Sequence, residues 1–277
     1  AADDPEALRL ASGHTPEVSS GAPSVIVPTS ATDRTFVVQE PGQPPRTLGE
    51  VDVVFPLLHG PFGEDGTIQG LLDLADVRYV GSGVTASAAM MDKHVMKVLL
   101  GAAGLPVGPY VVSTDKEWRR DRGAAMDAVH ALSWPVFVKP ARAGSSMGIS
   151  KVSEPEALEA AIEAAREHDP KVVVEAAVVG REIECGVLEG RGTDATRTSV
   201  VGECIVVQNH DFYDFDAKYL SAGDVRLDAP AQVSDAVSDR IREMAAKAFD
   251  VAGCEGLARV DFFLTEHGDV LVNEVNT

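Results

Sequence analysis

The last twenty residues of the chain, ARVDFFLTEHGDVLVNEVNT, alternate apolar and polar side chains on both sides of His267–Gly268. This alternation predicts a β-hairpin whose loop consists of those two residues. In that register Asp261 lies opposite Glu274 and Arg259 lies opposite Asn276, all on one face of the sheet. The other face carries five residues that belong in a core: Val260, Phe262, Leu264, Leu271 and Val275. A sheet with one polar and one buried face is therefore the strongest constraint on this chain.

The paired acids Asp261 and Glu274 need a positive charge nearby, because carboxylates directly opposite each other in a sheet lie about 5 Å apart and repel. Together with Asn276 they form an all-oxygen ligand set, which suits Mg²⁺ held together with substrate phosphates. The alternative interpretation is a solvated sheet face on which Arg259 neutralises one of the acids. The sheet pattern alone leaves both interpretations open.

Strands and helices alternate along the rest of the chain. The apolar run VDVVFPLL (51–58) predicts a strand that is buried on both faces of a sheet. A helical pattern, IQGLLDLA, follows it, and a second helix is predicted over 85–103. A third helix is predicted after a capping box formed by Ser153 and Glu156. With 277 residues, these elements indicate two or three domains of the α/β class with α+β modules.

Composition excludes several kinds of partner. The chain has 43 acidic and 24 basic residues, and its formal charge of -19 disfavours binding to nucleic acid through phosphates. No apolar run approaches the roughly 20 residues needed to span a bilayer, and the first residues lack a signal-peptide pattern. The three cysteines are too far apart for a disulfide framework or a zinc site. We therefore expect no membrane partner, a reducing compartment and cysteines that pack as small buried side chains.

The segment VFVKPARAGSSMG places Lys139 at the end of a predicted strand, ahead of a loop that contains Gly144, Ser145, Ser146 and Gly148. Backbone N–H groups in such a loop can hold phosphate oxygens, and a nearby lysine adds positive charge. The order differs from a Walker A sequence, in which the lysine follows the glycines. A plain hairpin loop is the alternative interpretation.

Three further positions are candidates for ligand contact. His59, in LLHGPFGEDGTIQG, follows a predicted parallel strand, where α/β folds place ligands. Lys218 and Tyr219, in HDFYDFDAKYL, belong to a loop able to fold over a charged ligand. The alternative for His59 is that its side chain satisfies backbone groups in a tight Gly-rich turn. The alternative for Lys218 and Tyr219 is an ordinary surface loop whose aromatic side chains point inward. Lys93, in MMDKHVMK, joins Lys139, Lys218 and Arg259 as the cations from which this acidic chain could build a phosphate pocket.

HGPFGEDGTIQG, MDK, VKPARAGSSMG, DFYDFDAKYL and ARVDFF with NEVNT, in this order, resemble the D-alanine–D-alanine ligase family of the ATP-grasp superfamily. The resemblance runs from about Val51 to Thr277. It implies an incomplete doubly wound N-terminal domain over 1–88, followed by an ATP-grasp fold with a central subdomain over 89–178 and a C-terminal subdomain over 179–277.

The resemblance also implies roles for individual residues. Predicted contacts to ATP come from Lys93, Lys139, Gly144, Ser146, Gly148, Glu175, Val178, Glu182 and Lys218. Predicted ligands of two Mg²⁺ ions, with Mn²⁺ as a substitute, are Asp261, Glu274 and Asn276. Predicted contacts to substrate or to the transferred phosphoryl group come from Arg259, Ser145, Tyr219, Lys218 and His59.

The implied reaction joins two D-alanine molecules through an acyl phosphate, for peptidoglycan synthesis in the cytoplasm of a bacterium, in a protein that is commonly a homodimer. The resemblance further implies that Tyr219 favours D-alanine over D-lactate as the acceptor. The alternatives are an ATP-grasp ligase with another acceptor, such as D-lactate, and a nucleotide-binding fragment without turnover. The family's opening Gly-rich turn and its Met-Pro-Gly-Phe-Thr-like continuation after NEVNT have no counterpart here, so we expect that both ends of the protein are missing from the chain.

Overall fold

The computed structural model describes residues 22–28, 30, 32, 35–144, 147–206 and 225–277. The first described part contains a three-stranded antiparallel sheet and a separate parallel strand pair with a helix between its strands. The antiparallel sheet is formed by β1 (Ser24–Ile26), β2 (Thr35–Gln39) and β3 (Arg46–Glu50). The parallel unit is formed by β4 (Val53–Val54), α1 (Thr67–Leu74) and β5 (Arg78–Tyr79). This β–α–β order is that of an α/β domain.

The prediction of a strand buried on both faces over 51–58 is wrong. Only Val53 and Val54 are in a strand, and Phe55, Leu57 and Leu58 are exposed. Among the described residues β4 pairs only with β5, so these apolar side chains do not lie inside a multi-stranded sheet. A continuous apolar run indicates burial only when neighbouring strands are present on both sides.

The helix predicted over 85–103 is two helices, α2 (Val84–Met91) and α3 (Lys93–Ala102). Asp92 separates them with extended backbone, and its side chain accepts hydrogen bonds from the backbone N–H groups of His94 and Val95 at 3.1 and 3.2 Å. This N-cap begins α3 in a new direction. The buried face consequently carries Met90, Met96 and Leu100, whereas the predicted Val95, Val98 and Leu99 are more exposed.

The central part folds into a four-stranded antiparallel sheet covered by helices. In spatial order its strands are β6 (Tyr110–Thr114), β9 (Lys171–Ala176), β7 (Val136–Pro140) and β8 (Ser150–Val152). The helices are α4 (Asp115–Arg120), α5 (Arg122–His130) and α6 (Leu158–His168). Alternate residues of β7 point into a core that contains Trp118 and Ile162. The sheet thereby holds Lys139, on the opposite face of β7 from Val138, rigidly.

The capping box predicted at Ser153 and Glu156 does not form. A short 3₁₀ helix (Pro155–Ala157) precedes α6, and neither element has a side-chain cap. Pro155 fixes the first turn without an N–H group, which removes one donor that a cap would satisfy. A capping box forms instead at the start of α4, between Thr114 and Glu117.

The C-terminal part is a five-stranded antiparallel sheet with one long helix on its apolar face. In spatial order the strands are β12 (Val225–Asp228), β11 (Arg197–Val206), β10 (Gly180–Leu188), β13 (Leu257–Thr265) and β14 (Val270–Asn276). The helix is α7 (Asp235–Ala252), and the side chain of Ser234 caps its first turn. The core of this part also includes Met96 and Leu100 of α3, packed with Ile183 and Phe262. The opposite face of the sheet is the polar floor of a cleft.

The predicted register of the terminal hairpin is correct at its polar end and wrong at its turn. Arg259 pairs with Asn276 and Asp261 with Glu274, but Leu264 pairs with Val270. The loop is therefore the three residues 266–268, with Gly268 at φ 84°, the left-handed position that three-residue hairpin loops favour.

A register shift next to Asp261 absorbs the extra loop residue and restores the predicted pairing of the polar residues. Because of this shift Val270 and Val272 are buried, and Leu271, predicted to be in the core, is only half-buried. The other four predicted core residues of the hairpin, Val260, Phe262, Leu264 and Val275, are buried.

The cysteines and the helices bear on two further expectations. Cys185 and Cys254 are buried free thiols, as predicted, whereas Cys204 is only half-buried and lines the cleft. No helix in the described ranges is long and apolar enough to cross a membrane.

The domain boundaries at 88 and 178 remain predictions.

Candidate active site

The polar face of the terminal hairpin brings four predicted residues together. The Nε and Nη2 of Arg259 donate hydrogen bonds to the two carboxylate oxygens of Asp261, both at 2.7 Å. The amide nitrogen of Asn276 donates to Asp261 Oδ2 at 3.0 Å, and Glu274 pairs with Asp261 across the strands. Positions two residues apart on a strand share a face, which is why a strictly alternating sequence assembles this group.

Glu184 adds a third carboxylate that the sequence did not single out. It pairs with Asp261 on the other side of β13, so that Glu184, Asp261 and Glu274 form a row across three neighbouring strands. Glu184 Oε2 lies 3.3 Å from the Nε of Arg259. The glutamate faces the cleft because it alternates with the buried Ile183 and Cys185, and this alternation was the available indication.

The neighbouring acids and Arg259 act in opposite directions on the pKa of Asp261. Burial raises the pKa of Asp261, the hydrogen bonds from Arg259 oppose that effect, and the charges of Glu274 and Glu184 raise the pKa further, to about 7. Hydrogen bonding to Asp261 raises the pKa of the Arg259 guanidinium, and the nearby acids reinforce it. The arginine therefore stays charged, and it forms ion pairs with two of the carboxylates, Asp261 and Glu184.

These donors fit a divalent cation. Asp261, Glu274 and Asn276 offer the oxygen ligands that Mg²⁺ prefers. No cluster of three or more His, Cys, Asp or Glu residues suited to a metal occurs in the described part of the chain, and the predicted set has only two carboxylates beside the amide of Asn276. The alternative interpretation, a solvated sheet face, predicts an ion pair between Arg259 and Asp261, and this ion pair is also present. The metal ligands therefore stay a prediction that the geometry permits.

A second group of charged side chains lies in the wall of the cleft. Glu175 on β9 pairs through one oxygen with Lys139 at 2.7 Å and through the other with Lys97 at 3.1 Å. Burial would raise the pKa of Glu175, but the two ammonium groups outweigh that effect and lower it to about 2. Glu175 is therefore held as a carboxylate between two cations.

The sequence motifs did not identify Lys97 as a site residue. Its position four residues after Lys93 puts both lysines on the same side of α3, and this spacing was the available indication. The ammonium of Lys93 donates to the backbone oxygen of Ala143 at 2.7 Å, directly before Gly144. Of the two lysines of α3, Lys97 thus contacts β9 and Lys93 contacts the loop that follows β7.

A cavity of about 640 Å³ opens between the central and C-terminal sheets. This volume is in the range of small-molecule sites. Six residues predicted to contact ATP line it: Lys93, Lys139, Gly144, Glu175, Val178 and Glu182. On its floor Glu182 pairs across the strands with Cys204, which is how that thiol enters the cleft.

A smaller cavity of about 300 Å³ adjoins the first. His59, Lys93, Gly144, Arg259, Glu274 and Asn276 line it. Gly144 and Glu274 line both cavities. Of the predicted metal residues, Glu274 therefore lies where the two meet, Asn276 lines the smaller cavity, and Asp261 lines neither. A third cavity of about 560 Å³ adjoins on the far side of Arg259 and includes Glu184 and His59.

Six predicted site residues do not line these cavities, and one of them is Asp261, which accepts hydrogen bonds from Arg259 and Asn276. Gly148 has φ 69° and packs toward Pro140 and His168, so it shapes the turn after β7 and does not line the cleft. The four others, Ser145, Ser146, Lys218 and Tyr219, lie outside the described residues.

Two family models match the chain. One, described as "D-ala D-ala ligase C-terminus", matches residues 99–277, and the other, "D-ala D-ala ligase N-terminus", matches residues 3–82. A D-alanine–D-alanine ligase of Pseudarthrobacter chlorophenolicus is 58% identical over 269 residues, which are 97% of this chain and 70% of that protein. One of Streptomyces avermitilis is 50% identical over 284 residues, covering 100% of this chain and 73% of its own length.

Solved structures with the same architecture include two ligases. The VanG D-Ala:D-Ser ligase of Enterococcus faecalis has a TM-score of 0.77 and 38% identity, covering 91% of this chain and 69% of its own. The D-alanine–D-alanine ligase of Coxiella burnetii has a TM-score of 0.73 and 32% identity, covering 92% and 64%. The ATP-grasp fold expected for the chain is thereby confirmed.

Proposed function

The chain belongs to the D-alanine–D-alanine ligase family, and from this membership and its cleft we propose how it works. It is an ATP-dependent ligase that joins two D-alanine molecules for cell-wall synthesis. The observation that carries this assignment is the identity of 50–58% to curated ligases over nearly the whole chain. Residue roles, metal use and assembly are the proposed parts.

In the proposed reaction the carboxylate of one D-alanine attacks the γ-phosphate of ATP and forms an acyl phosphate and ADP. The amine of a second D-alanine then attacks the acyl carbon, and phosphate leaves. The larger cavity would hold the nucleotide, with its phosphates directed toward Glu274, where the smaller cavity begins. This arrangement brings the phosphoryl group and the amino-acid carboxylate to a single meeting point, and positioning of this kind supplies most of the catalysis of phosphoryl transfer.

The chain's own side chains provide the charges that the reaction needs. Lys93 and Lys139 would neutralise the phosphates, and Arg259 would stabilise the transferred phosphoryl group from the polar floor of the cleft. Asp261, Glu274 and Asn276 would hold Mg²⁺ or Mn²⁺, which when bound supplies further neutralisation of phosphate charge. His59 lines the smaller cavity and would lie near the amino-acid carboxylate. Ser145, Lys218 and Tyr219 keep the roles that the family resemblance implies.

Location and assembly are also proposed. We place the ligase in the cytoplasm, where ATP is available, and expect it to support cell shape through the dipeptide it supplies. We expect a homodimer, as is common in the family. Sedimentation analysis of the full-length protein tests the dimer, and a monomer at micromolar concentration would refute it.

The test of function is phosphate release from ATP by the full-length protein, with identification of the dipeptide product. We expect release with D-alanine and almost none with L-alanine. D-Serine and D-lactate, each supplied together with D-alanine, test the acceptor, because a structural neighbour is a D-Ala:D-Ser ligase. A mixed product formed in preference to D-alanyl-D-alanine would overturn the proposed acceptor. Nucleotide binding without any turnover would favour the non-catalytic alternative.

A further inference from the structure

Lys97 is a charged residue in the interior of the molecule that the proposed mechanism does not use. It lies on α3, whose neighbouring side chains Met96 and Leu100 are in the core of the C-terminal part. Only 2% of its side chain is exposed. Its ammonium contacts Glu175 Oε1 at 3.1 Å and lies 5.5 Å from the centre of the Tyr110 ring.

A buried lysine is costly unless its charge is paired, so its presence here calls for a specific partner. Burial lowers the pKa of Lys97, and the adjacent Glu175 opposes that effect. The carboxylate of Glu175 already has a cation on its other oxygen, Lys139 at 2.7 Å. One buried carboxylate therefore serves two ammonium groups, and the group as a whole carries a net positive charge.

All three residues line the larger cavity, and Lys139 is the one that the proposed function assigns to the phosphates of ATP. If Lys139 turned toward a phosphate and Glu175 had no other partner, a buried carboxylate would be left without a counter-ion. Such a loss disfavours phosphate binding, because a buried carboxylate without a counter-ion keeps its full desolvation penalty. Lys97 remains on Glu175 in that situation, because it reaches the carboxylate from a different element and through a different oxygen.

We propose that Lys97 is a positioning residue for the nucleotide: it stays paired with Glu175 and so frees Lys139 to bind the phosphates. The inference rests on the proposed function in taking the cavity as the nucleotide site and Lys139 as a ligand of the phosphates. It assigns to Lys97 no contact with substrate. Its effect on binding is exerted through Glu175 and Lys139.

The test compares nucleotide binding by the intact protein and by Lys97→Met, with adenosine and a non-hydrolysable ATP analogue as the two ligands. Without Lys97 the carboxylate keeps Lys139, so the ATP analogue should bind about tenfold more weakly or worse. Adenosine has no phosphates and should bind as it does to the unaltered protein. A general disturbance of the fold would weaken both ligands alike, and that result would overturn the proposal.

Two further variants complete the test. Lys97→Arg keeps the charge and should restore binding of the ATP analogue, and Lys97→Gln replaces Lys97→Met if the latter does not fold. Lys171→Met is the matched control, because Lys171 also forms an ion pair between β9 and the start of α3, with Asp92, but does not line the cavity. It should bind both ligands normally.

Normal binding of the ATP analogue by a folded Lys97→Gln or Lys97→Met variant would also refute the role of Lys97. These outcomes are distinct from a failure of the proposed function, which is read from phosphate release by the unaltered protein.

Discussion

Gly60 and Gly144 touch across the cleft: a β-carbon added to Gly144 would lie 2.8 Å from the Cα of Gly60. This distance is too short for any side chain at position 144, and the obstructing atom belongs to the backbone. The contact joins the segment that contains His59 to the loop that follows Lys139. The absence of a side chain at Gly144 therefore allows the two sides of the smaller cavity to come together.

Gly144→Ala should separate these two segments and misplace the phosphate-binding groups. We expect kcat/KM for ATP to fall about tenfold or more, because small displacements of reacting groups are costly. Gly101→Ala is the matched control, since Gly101 is an exposed helical glycine with no atom within 4 Å of the added carbon. It should leave turnover unchanged and stabilise the fold by about 0.5–1 kcal/mol. Unaltered kinetics of Gly144→Ala would show that the contact has no role in catalysis.

Glu274→Gln should remove one charged ligand from the predicted metal site while keeping its shape. We expect turnover to fall about a hundredfold or more, because a bound metal contributes several kcal/mol of charge stabilisation. Titration with Mg²⁺ should also show weaker metal dependence. Glu266→Gln, in the exposed turn of the same hairpin, should behave like the unaltered protein. If Glu274→Gln retains its rate and its Mg²⁺ response, the metal ligands are wrongly assigned.

Arg259→Lys should lower turnover although it preserves charge. A lysine cannot make the paired hydrogen bonds that Arg259 forms with Asp261, so the phosphoryl group would meet a poorly oriented cation. We expect kcat to fall by about tenfold to a hundredfold, with a smaller change in KM.

Arg226→Lys is the control for that experiment. Arg226 forms the same two-bond pair with Asp228, at 2.9 and 3.0 Å, on the edge strand of the same sheet and outside the three cavities. It should leave kcat unchanged. Equal losses in both variants would mean that Arg259 acts on the stability of the sheet and not on the reaction.

Glu175 should make the stability of the fold depend on acid. Its pKa is lowered in the folded protein to about 2 and lies at about 4.5 when the chain is unfolded. The stabilisation is therefore fully present above about pH 4.5 and is lost as the pH falls from there toward 2. Urea unfolding between pH 6 and pH 3 measures this contribution. Glu175→Gln should be less stable at pH 6, and its disadvantage should shrink in acid; a constant difference would contradict the pKa shift.

Periodicity predicted the polar face of the terminal hairpin but not its turn. Alternation placed Arg259, Asp261, Glu274 and Asn276 together correctly, because the register shift compensates for the longer loop. The loop length could not be predicted, because a glycine in the left-handed conformation at position 268 is compatible with a two-residue loop and with a three-residue loop. The same shift decided whether Leu271 or its neighbours were buried.

Other errors arose where a single residue or a missing neighbour decides the outcome. The sequence pattern around Asp92 predicts one continuous helix. The helix is interrupted there because the Asp92 side chain accepts hydrogen bonds from backbone N–H groups and so starts a new helix. The exposure of Phe55 and Leu57 depends on which strands surround them, and this is a property of the tertiary structure. The pairing of Lys97 with Glu175 joins residues 78 positions apart, so no local pattern contains it.

Glu274 lines both the larger and the smaller cavity. We therefore expect that the binding free energies of the ligands in these two cavities are coupled. Under the proposed function the nucleotide and the amino acid both border Glu274, so we expect that each ligand changes the affinity of the other cavity. By reciprocity, the factor by which nucleotide changes the binding of amino acid equals the factor by which amino acid changes the binding of nucleotide. The order in which the two ligands arrive therefore does not alter the total binding free energy of the loaded cleft.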